Sequence, residues 1–314
     1  MKTYPIIDWH CDVLMKLHQN PEYSFYDNEN LDVNVLKLRK GGVKVQACAI
    51  FIDPDAYIDN KYDVALGQID AFKNNVLKQE GIVHIKHFAE IENLKDDEIG
   101  VFLTLEGLDC VGSDITKVKQ FIDEGVLSIG MTWNDANLAC DGIGETRGAG
   151  LTTFGFDVVK LANDRDVFID VSHISLNGFE DVLDTAKHVI ASHSNVQKLA
   201  SHRRNLNDGQ IQRMKDKGAL VHFVYCDAFV NDQHRVEPTT IQMLVDHIEH
   251  LHHAGLASQL GLGSDFDGIS SKIVNLEDAS QSQNLLHEIS VRLGSAFAED
   301  IAFGNFMRYV NRHF

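Results

Sequence analysis

A closed parallel (β/α)8 barrel, the TIM barrel, is the fold this sequence predicts, and three observations predict it. Eight short apolar runs alternate with stretches of helical period; strand–helix alternation builds a parallel sheet, and eight units favour a closed barrel over an open doubly wound sheet. Residues of metal-ligand type follow five of those runs, spread from His10 to Asp267. In such a barrel the carboxyl ends of all strands meet on one face, where the active site is built. The length, 314 residues, suits a single barrel with modest insertions.

In chain order the expected strands lie at 5–12, 43–52, 99–106, 126–132, 166–172, 188–193, 218–225 and 259–265. VKVQACAIFI, GVFLTL and ALVHFVY are continuous rather than alternating runs, as strands buried on both faces are. Helical periodicity fills the intervals, in YDVALGQIDAFKNNVLKQ, DITKVKQFIDEG, TTFGFDVVKLANDR and TIQMLVDHIEHLHHAG. Glycine stops the helix before the next strand in RKGGVKV, DEGVLS and DKGALV. With four prolines and no low-complexity or linker-like stretch, residues 1–314 read as one domain.

A composition of 44% hydrophobic and 24% charged residues is that of a soluble globular protein. No apolar run reaches the roughly 18 residues of a membrane span. The N-terminal MKTYPIIDWHCD meets polar residues too early for a signal peptide's apolar core, so a cytoplasmic location is expected. The formal net charge of −18 argues against nucleic acid and anionic membranes as partners. Cys11, Cys48, Cys110, Cys140 and Cys226 are odd in number, widely spaced and without a CxxC, which fits reduced, mostly buried thiols.

His10 and Asp12 stand two apart on the first expected strand, so alternation sends both toward one face and Trp9 and Cys11 toward the other. Asp8 shares the face of His10 and sits one layer deeper, in a buried polar role. Glu106 ends the third strand, where a carboxylate is able to bridge two cations; His173 and His193 end the fifth and sixth and offer neutral nitrogens. Histidine and carboxylate without thiolate suit a catalytic site with open positions rather than a closed structural zinc. Two ligand sets sharing one glutamate suit two ions roughly 3.5–4 Å apart.

These residues resemble the membrane (renal) dipeptidases and their bacterial relatives, binuclear zinc peptidases among the metal-dependent hydrolase barrels. The resemblance runs through the HxD start, LEG, GLTTFGFDVVKLANDRDVFIDVSHIS, VIASHSNVQKLASHRRN and GLGSDFDG, and is most specific from Gly150 to Asn205. It implies that His10 and Asp12 hold one metal, His173 and His193 the other, and that Glu106 bridges them. It implies further that Asp265 accepts the proton of a metal-bridging water and passes it to the leaving amine, and that Arg204 binds the carboxylate of a small dipeptide, including ones with a C-terminal D-residue. Two divalent ions, zinc before manganese, cobalt or iron, are the expected cofactors. A homodimer is left open.

Two departures from the mammalian pattern bear on substrate. Trp133, in GMTWND, stands where those enzymes carry a histidine thought to steady the tetrahedral intermediate; Phe229 replaces a tyrosine that helps hold the substrate carboxylate. Arg203 reads as a surface or structural arginine, Asp267 as a structural carboxylate, and the histidines of DHIEHLHHAG as a solvated helix face. GIGETRGAG misses the dinucleotide spacing and reads as a flexible lid beside the site. The rival readings are another reaction of this barrel type, a deaminase or lactonase, and a non-catalytic metal- or peptide-binding barrel. The expected fourth strand lacks the lysine that many such hydrolases carboxylate, which favours the dipeptidase branch.

Overall fold

The computed structural model describes residues 2–54, 56–57 and 59–314. Among these, nine parallel strands form one sheet: β1 (Ile6–Asp8), β2 (Val43–Phe51), β3 (Ile82–His84), β4 (Ile99–Glu106), β5 (Val126–Gly130), β6 (Phe168–Asp170), β7 (Val189–Ala191), β8 (Leu220–Phe223) and β9 (Leu260–Leu262). The order β2–β1–β9–β8–β7–β6–β5–β4 returns to β2 through a β2–β4 ladder, so eight strands close the expected barrel. All eight expected strands are present.

The ninth, β3, was not expected. It pairs with Ile99–Val101 at the start of β4, whereas β5 joins β4 only from Leu103 onward. β3 thus occupies hydrogen-bonding positions of β4 that β5 leaves open. This follows the demand that buried backbone groups be paired.

The helices are α1 (Val13–Gln19), α2 (Val35–Gly41), α3 (Lys61–Ala71), α4 (Ile115–Asp123), α5 (Thr153–Asp164), α6 (Leu176–Thr185), α7 (Asp208–Lys217), α8 (Ile241–Leu251), α9 (Ser282–Leu293), α10 (Ser295–Glu299) and α11 (Asn305–His313). Asn34, Thr152, Ser175 and Asn207 cap the starts of α2, α5, α6 and α7, each accepting a backbone N–H three residues on. Gly42 and Gly218 end α2 and α7 in the left-handed conformation, at φ +72° and +70°, as their position before a strand suggested.

Two apolar layers hold the fold. One lies between strands and helices; the other fills the barrel from below and contains Ile7, Trp9, Val45, Ala47, Phe102, Phe168, Ile190 and Leu220. Trp9 corrects the alternation reading. β1 ends at Asp8; Trp9 still shares the inner layer with Ile7, whereas Cys11 lies in the outer one, so strict alternation fails between Trp9 and Cys11. The indole turns into the barrel and packs edge-on to Phe102, Phe168 and His222, with ring centroids 5.1, 5.3 and 5.5 Å away. Phe306 of α11 meets it at 4.9 Å and helps close the floor. Cys11 does leave on the helix side, its thiol against the Ala47 carbonyl.

Candidate metal centre

Beyond β1 and β9 the two segments stay paired. Asp265 N–H donates to the His10 carbonyl (3.0 Å) and Asp12 N–H to that of Phe266 (2.9 Å). Asp8 anchors this join one layer down. Its carboxylate accepts from Ser264 N–H (2.8 Å) and the Ser264 hydroxyl (2.6 Å), the buried role expected of it. Asp12 is the residue preceding α1 rather than a strand residue. The HxD pair therefore converges through a bend, not through strand alternation.

The five expected ligands lie together at the strand ends. His10 Nε2 is 3.3 Å from Glu106 Oε2 and 3.5 Å from Asp12 Oδ2. His173 Nε2 and His193 Nε2 are 3.1 and 3.7 Å from the other oxygen, Oε1, and 3.0 Å from each other. Asp265 Oδ1 stands 3.8 Å from His10 Nε2. His10, Glu106 and His193 offer ligand atoms within 4.8 Å of one another, as do His10, Asp12 and Asp265. His10 thus lies within reach of both groups.

The backbone is bent to achieve this. His173 and Asp265 sit at φ +70° and +65°, a region L-residues rarely enter and one that clusters at functional sites. Gly268 is glycine for a local reason: a Cβ there would collide with the carboxylates of Asp12 and Asp265.

Charge in the cluster is unbalanced. Burial, then the cation of Arg204, pushes His173 down to about 3, and burial with His10 holds His193 well below its ordinary value. Both rings are neutral donors of a lone pair. Burial raises Asp12 and Asp265, and Glu106 raises both further against the pull of His10. Glu106 is itself favoured by burial toward the neutral form, yet His10 and His173 hold it well below the usual range. Against burial, Glu106 and Asp12 hold His10 well above its ordinary value; three carboxylates thus crowd one charged and two neutral imidazoles in a buried cluster, an arrangement that a divalent cation relieves and that hard oxygen and borderline nitrogen donors fit.

The cluster opens into a cavity of about 350 Å³ lined by Met15, Phe51, Trp133, Asn134, Arg204, Phe229 and Asp265 among others. Arg204 is buried, its Nε without a partner and its Nη2 3.4 Å from the His193 carbonyl. Burial lowers its pKa to about 10. The Phe229 ring lies 5.5 Å from the guanidinium and stacks on His202. Trp133 is wedged between Phe51 (5.5 Å) and His173 (6.0 Å).

Several side chains escaped the sequence reading. Arg203 is exposed, as expected of a surface arginine, but also lines the cavity, as do His202 and Cys226. Asn134 Oδ1 meets His173 Nδ1 at 3.0 Å, although only its neighbour Trp133 had drawn notice. His247 is no solvated helix residue. It is buried on α8, accepts from Val196 N–H (3.1 Å) and contacts the Val230 carbonyl (3.1 Å). The expected lid is tied down: the Asp141 carboxylate holds the Arg147 guanidinium and accepts from Ala149 N–H (2.7 Å). Of that connection Trp133 and Asn134 reach the cavity wall. Asp267 is structural, paired with Lys16 (2.8 Å) and accepting from the Asp32 and Val33 amides.

Comparison with known proteins agrees with this geometry. The family model for the membrane dipeptidases, peptidase family M19, matches residues 1–313. An uncharacterized dipeptidase of Schizosaccharomyces pombe is 29% identical over 93% of this chain and 76% of its own length. The crystal structure of a dipeptidase of the same metallopeptidase family superposes with a TM-score of 0.92 at 20% identity, covering 99% of both chains. A metallopeptidase from Rhodobacter sphaeroides, liganded with a phosphinate mimic of L-Ala-D-Ala, does so with a TM-score of 0.90 at 20% identity over 100% of both. A match from end to end, on a barrel whose strand ends gather histidines and carboxylates, makes this chain a member of the membrane dipeptidase family and a metal-dependent hydrolase of peptide bonds.

Proposed function

We propose that the chain is a two-metal dipeptidase in which Glu106 bridges the ions. The observation that carries this reading is the division of one carboxylate: Oε2 faces His10, which itself meets Asp12, while Oε1 faces His173 and His193. His10 and Asp12 would hold one ion and His173 and His193 the other, with zinc the expected metal. A pair of such ions acidifies an attacking water and polarises the scissile carbonyl. The chain's residues supply the rest. Asp265, at the cavity wall beside Asp12, takes the proton released on attack and returns it to the leaving amine.

Arg204 binds the free carboxylate of the substrate. Its buried guanidinium, with Nε unpartnered, has donors to spare for a bidentate partner. In the ring of strands β7, whose following loop carries Arg204, stands four places from β2, which ends at Phe51. A dipeptide held at Arg204 would cross the ligand cluster and set its N-terminal side chain toward Phe51 and Trp133. The relative crystallised with an L-Ala-D-Ala mimic supports small dipeptides, C-terminal D-residues included, as the substrate class. Five free thiols fit a reducing compartment such as the cytoplasm. No helix among the described residues is long and apolar enough to cross a membrane.

The test is a panel of dipeptides with free and amidated C-termini, assayed with defined metals and with chelator. Free dipeptides should be cleaved and amidated ones spared, and chelator should abolish turnover. Equal cleavage of free and amidated dipeptides would remove carboxylate recognition from the account.

A further inference from the structure

We infer that Asp170 and Asn134 are positioning residues that lock the ring tautomers of His193 and His173, so that both Nε2 atoms present lone pairs to the cation site; this rests on the metal-centre reading above. Neither residue is itself a candidate ligand. Each acts on the far nitrogen of a ring that is.

The His193 lock is a relay of three groups. His193 Nδ1 lies 2.8 Å from Ser192 Oγ, and Ser192 Oγ in turn donates to Asp170 Oδ2. The other oxygen of Asp170 is committed, accepting from Ser172 N–H (2.9 Å) and Ser192 N–H (3.0 Å). Both Asp170 oxygens accept, and a hydroxyl carries one proton. The Ser192 proton therefore points at Asp170, and the oxygen lone pair facing His193 is able only to accept. Nδ1 must bear the ring proton, which leaves Nε2 bare. The stem of the ring is held as well, since His193 N–H donates to Ser172 Oγ (3.2 Å).

The His173 lock is shorter. Asn134 Oδ1, 3.0 Å from His173 Nδ1, accepts from it and leaves that Nε2 bare too. The two bare nitrogens then face each other at 3.0 Å without a proton between them. Two lone pairs at this separation repel, and a shared neighbourhood of positive charge is what makes the arrangement favourable. Metal-bound histidines commonly donate their second ring N–H to a carboxylate or carbonyl; here Asn134 Oδ1 accepts that of His173 directly, while a serine stands between Asp170 and the His193 ring.

The relay makes an unusual demand of a nearly isosteric substitution. In Asp170→Asn the amide oxygen must take the position that accepts two backbone N–H groups, because an NH2 there would face two donors. The NH2 is then placed against Ser192 Oγ and donates to it. The displaced Ser192 proton turns to His193 Nδ1, at 2.8 Å the nearer acceptor than Ser172 Oγ at 3.4 Å, and the ring proton moves to Nε2, where it blocks ligation. Ser192→Ala deletes the relay without reversing it, so it should cost less. Asn134→Asp keeps an acceptor for His173 and should be tolerated, whereas Asn134→Leu should not.

The experiment withdraws zinc from the loaded protein with a competing chelator and follows the histidine ring nitrogens by NMR on 15N-histidine-labelled samples. Wild type should show the Nδ1–H tautomer at both His173 and His193 as zinc leaves. Asp170→Asn should show Nε2–H at His193 and bind its more weakly held zinc about ten- to a hundredfold less tightly, the usual scale for such partners. Ser192→Ala should fall between. His193→Ala is the control for the ligand itself. If it loses zinc while Asp170→Asn keeps wild-type affinity and the Nδ1–H tautomer, the relay is refuted and the metal centre stands. If His193→Ala retains full zinc affinity, the ligand assignment fails and the relay with it. Should Asp170→Asn not fold, an Nε2–H His193 in wild type overturns the proposal unaided, and the Nδ1–H form together with a loss in Asn134→Leu but not Asn134→Asp supports it.

Discussion

In the proposed reading Glu106, Asp265 and Arg204 divide the work at the scale of single residues, and their substitutions should separate cleanly. Asp265→Asn keeps the shape of the side chain but removes its basicity, so metal content should persist while kcat falls by roughly a hundredfold or more. Near-normal turnover with metals in place would show that the proton is handled elsewhere. Arg204→Leu should cost about 1.5–3 kcal/mol for a lost charged hydrogen bond, or about ten- to a hundredfold in kcat/KM. That loss should appear on free dipeptides and bring their cleavage down toward the low level expected of amidated ones. The ligands were legible in the sequence because each follows an apolar run, and barrel topology alone brings such positions together. Asp170, Ser192 and Asn134 were not, because their role is fixed by which nitrogen of another residue they meet. Nothing in IDVSH or ASHS distinguishes such a serine or aspartate from an ordinary buried polar residue.

At the scale of elements the barrel was readable and its interior was not. Eight strand runs were found where continuous apolar sequence marked them, whereas β3 is three residues long and half-buried, too short to show a period. Trp9 was misdirected because alternation presumes a regular strand, and β1 stops at Asp8. The same interior carries a pH dependence. Burial pushes His222 on β8 down to about 3 and His247 on α8 down to about 4. Both rings are neutral in the fold, while in the unfolded chain they protonate near the ordinary value of about 6.5. Unfolding therefore takes up protons below that pH, and each ring makes stability fall by up to about 1.4 kcal/mol per pH unit on acidification toward its folded pKa. His222→Leu should flatten the slope of unfolding free energy between about pH 6 and about pH 4.5 by that amount. Urea titrations of metal-free wild type and variant would check it, and parallel profiles would contradict it.

For the molecule as a whole, the family match from residue 1 to 313 and the closed barrel agree on what the fold is for. Net charge had argued against polyanionic partners, and ligand placement had pointed to a catalytic metal site; what composition had no means of revealing is how the two oxygens of one carboxylate face different histidines. That division is the central claim, and metal content tests it most directly. Purified protein reconstituted with zinc and passed through a desalting column should hold close to two ions per chain by elemental analysis, the number a glutamate-bridged pair requires. Glu106→Ala should lose both ions or keep one weakly, and lose dipeptide hydrolysis with them. Full two-ion occupancy in Glu106→Ala would contradict the account, because the bridge would then lie in some other residue.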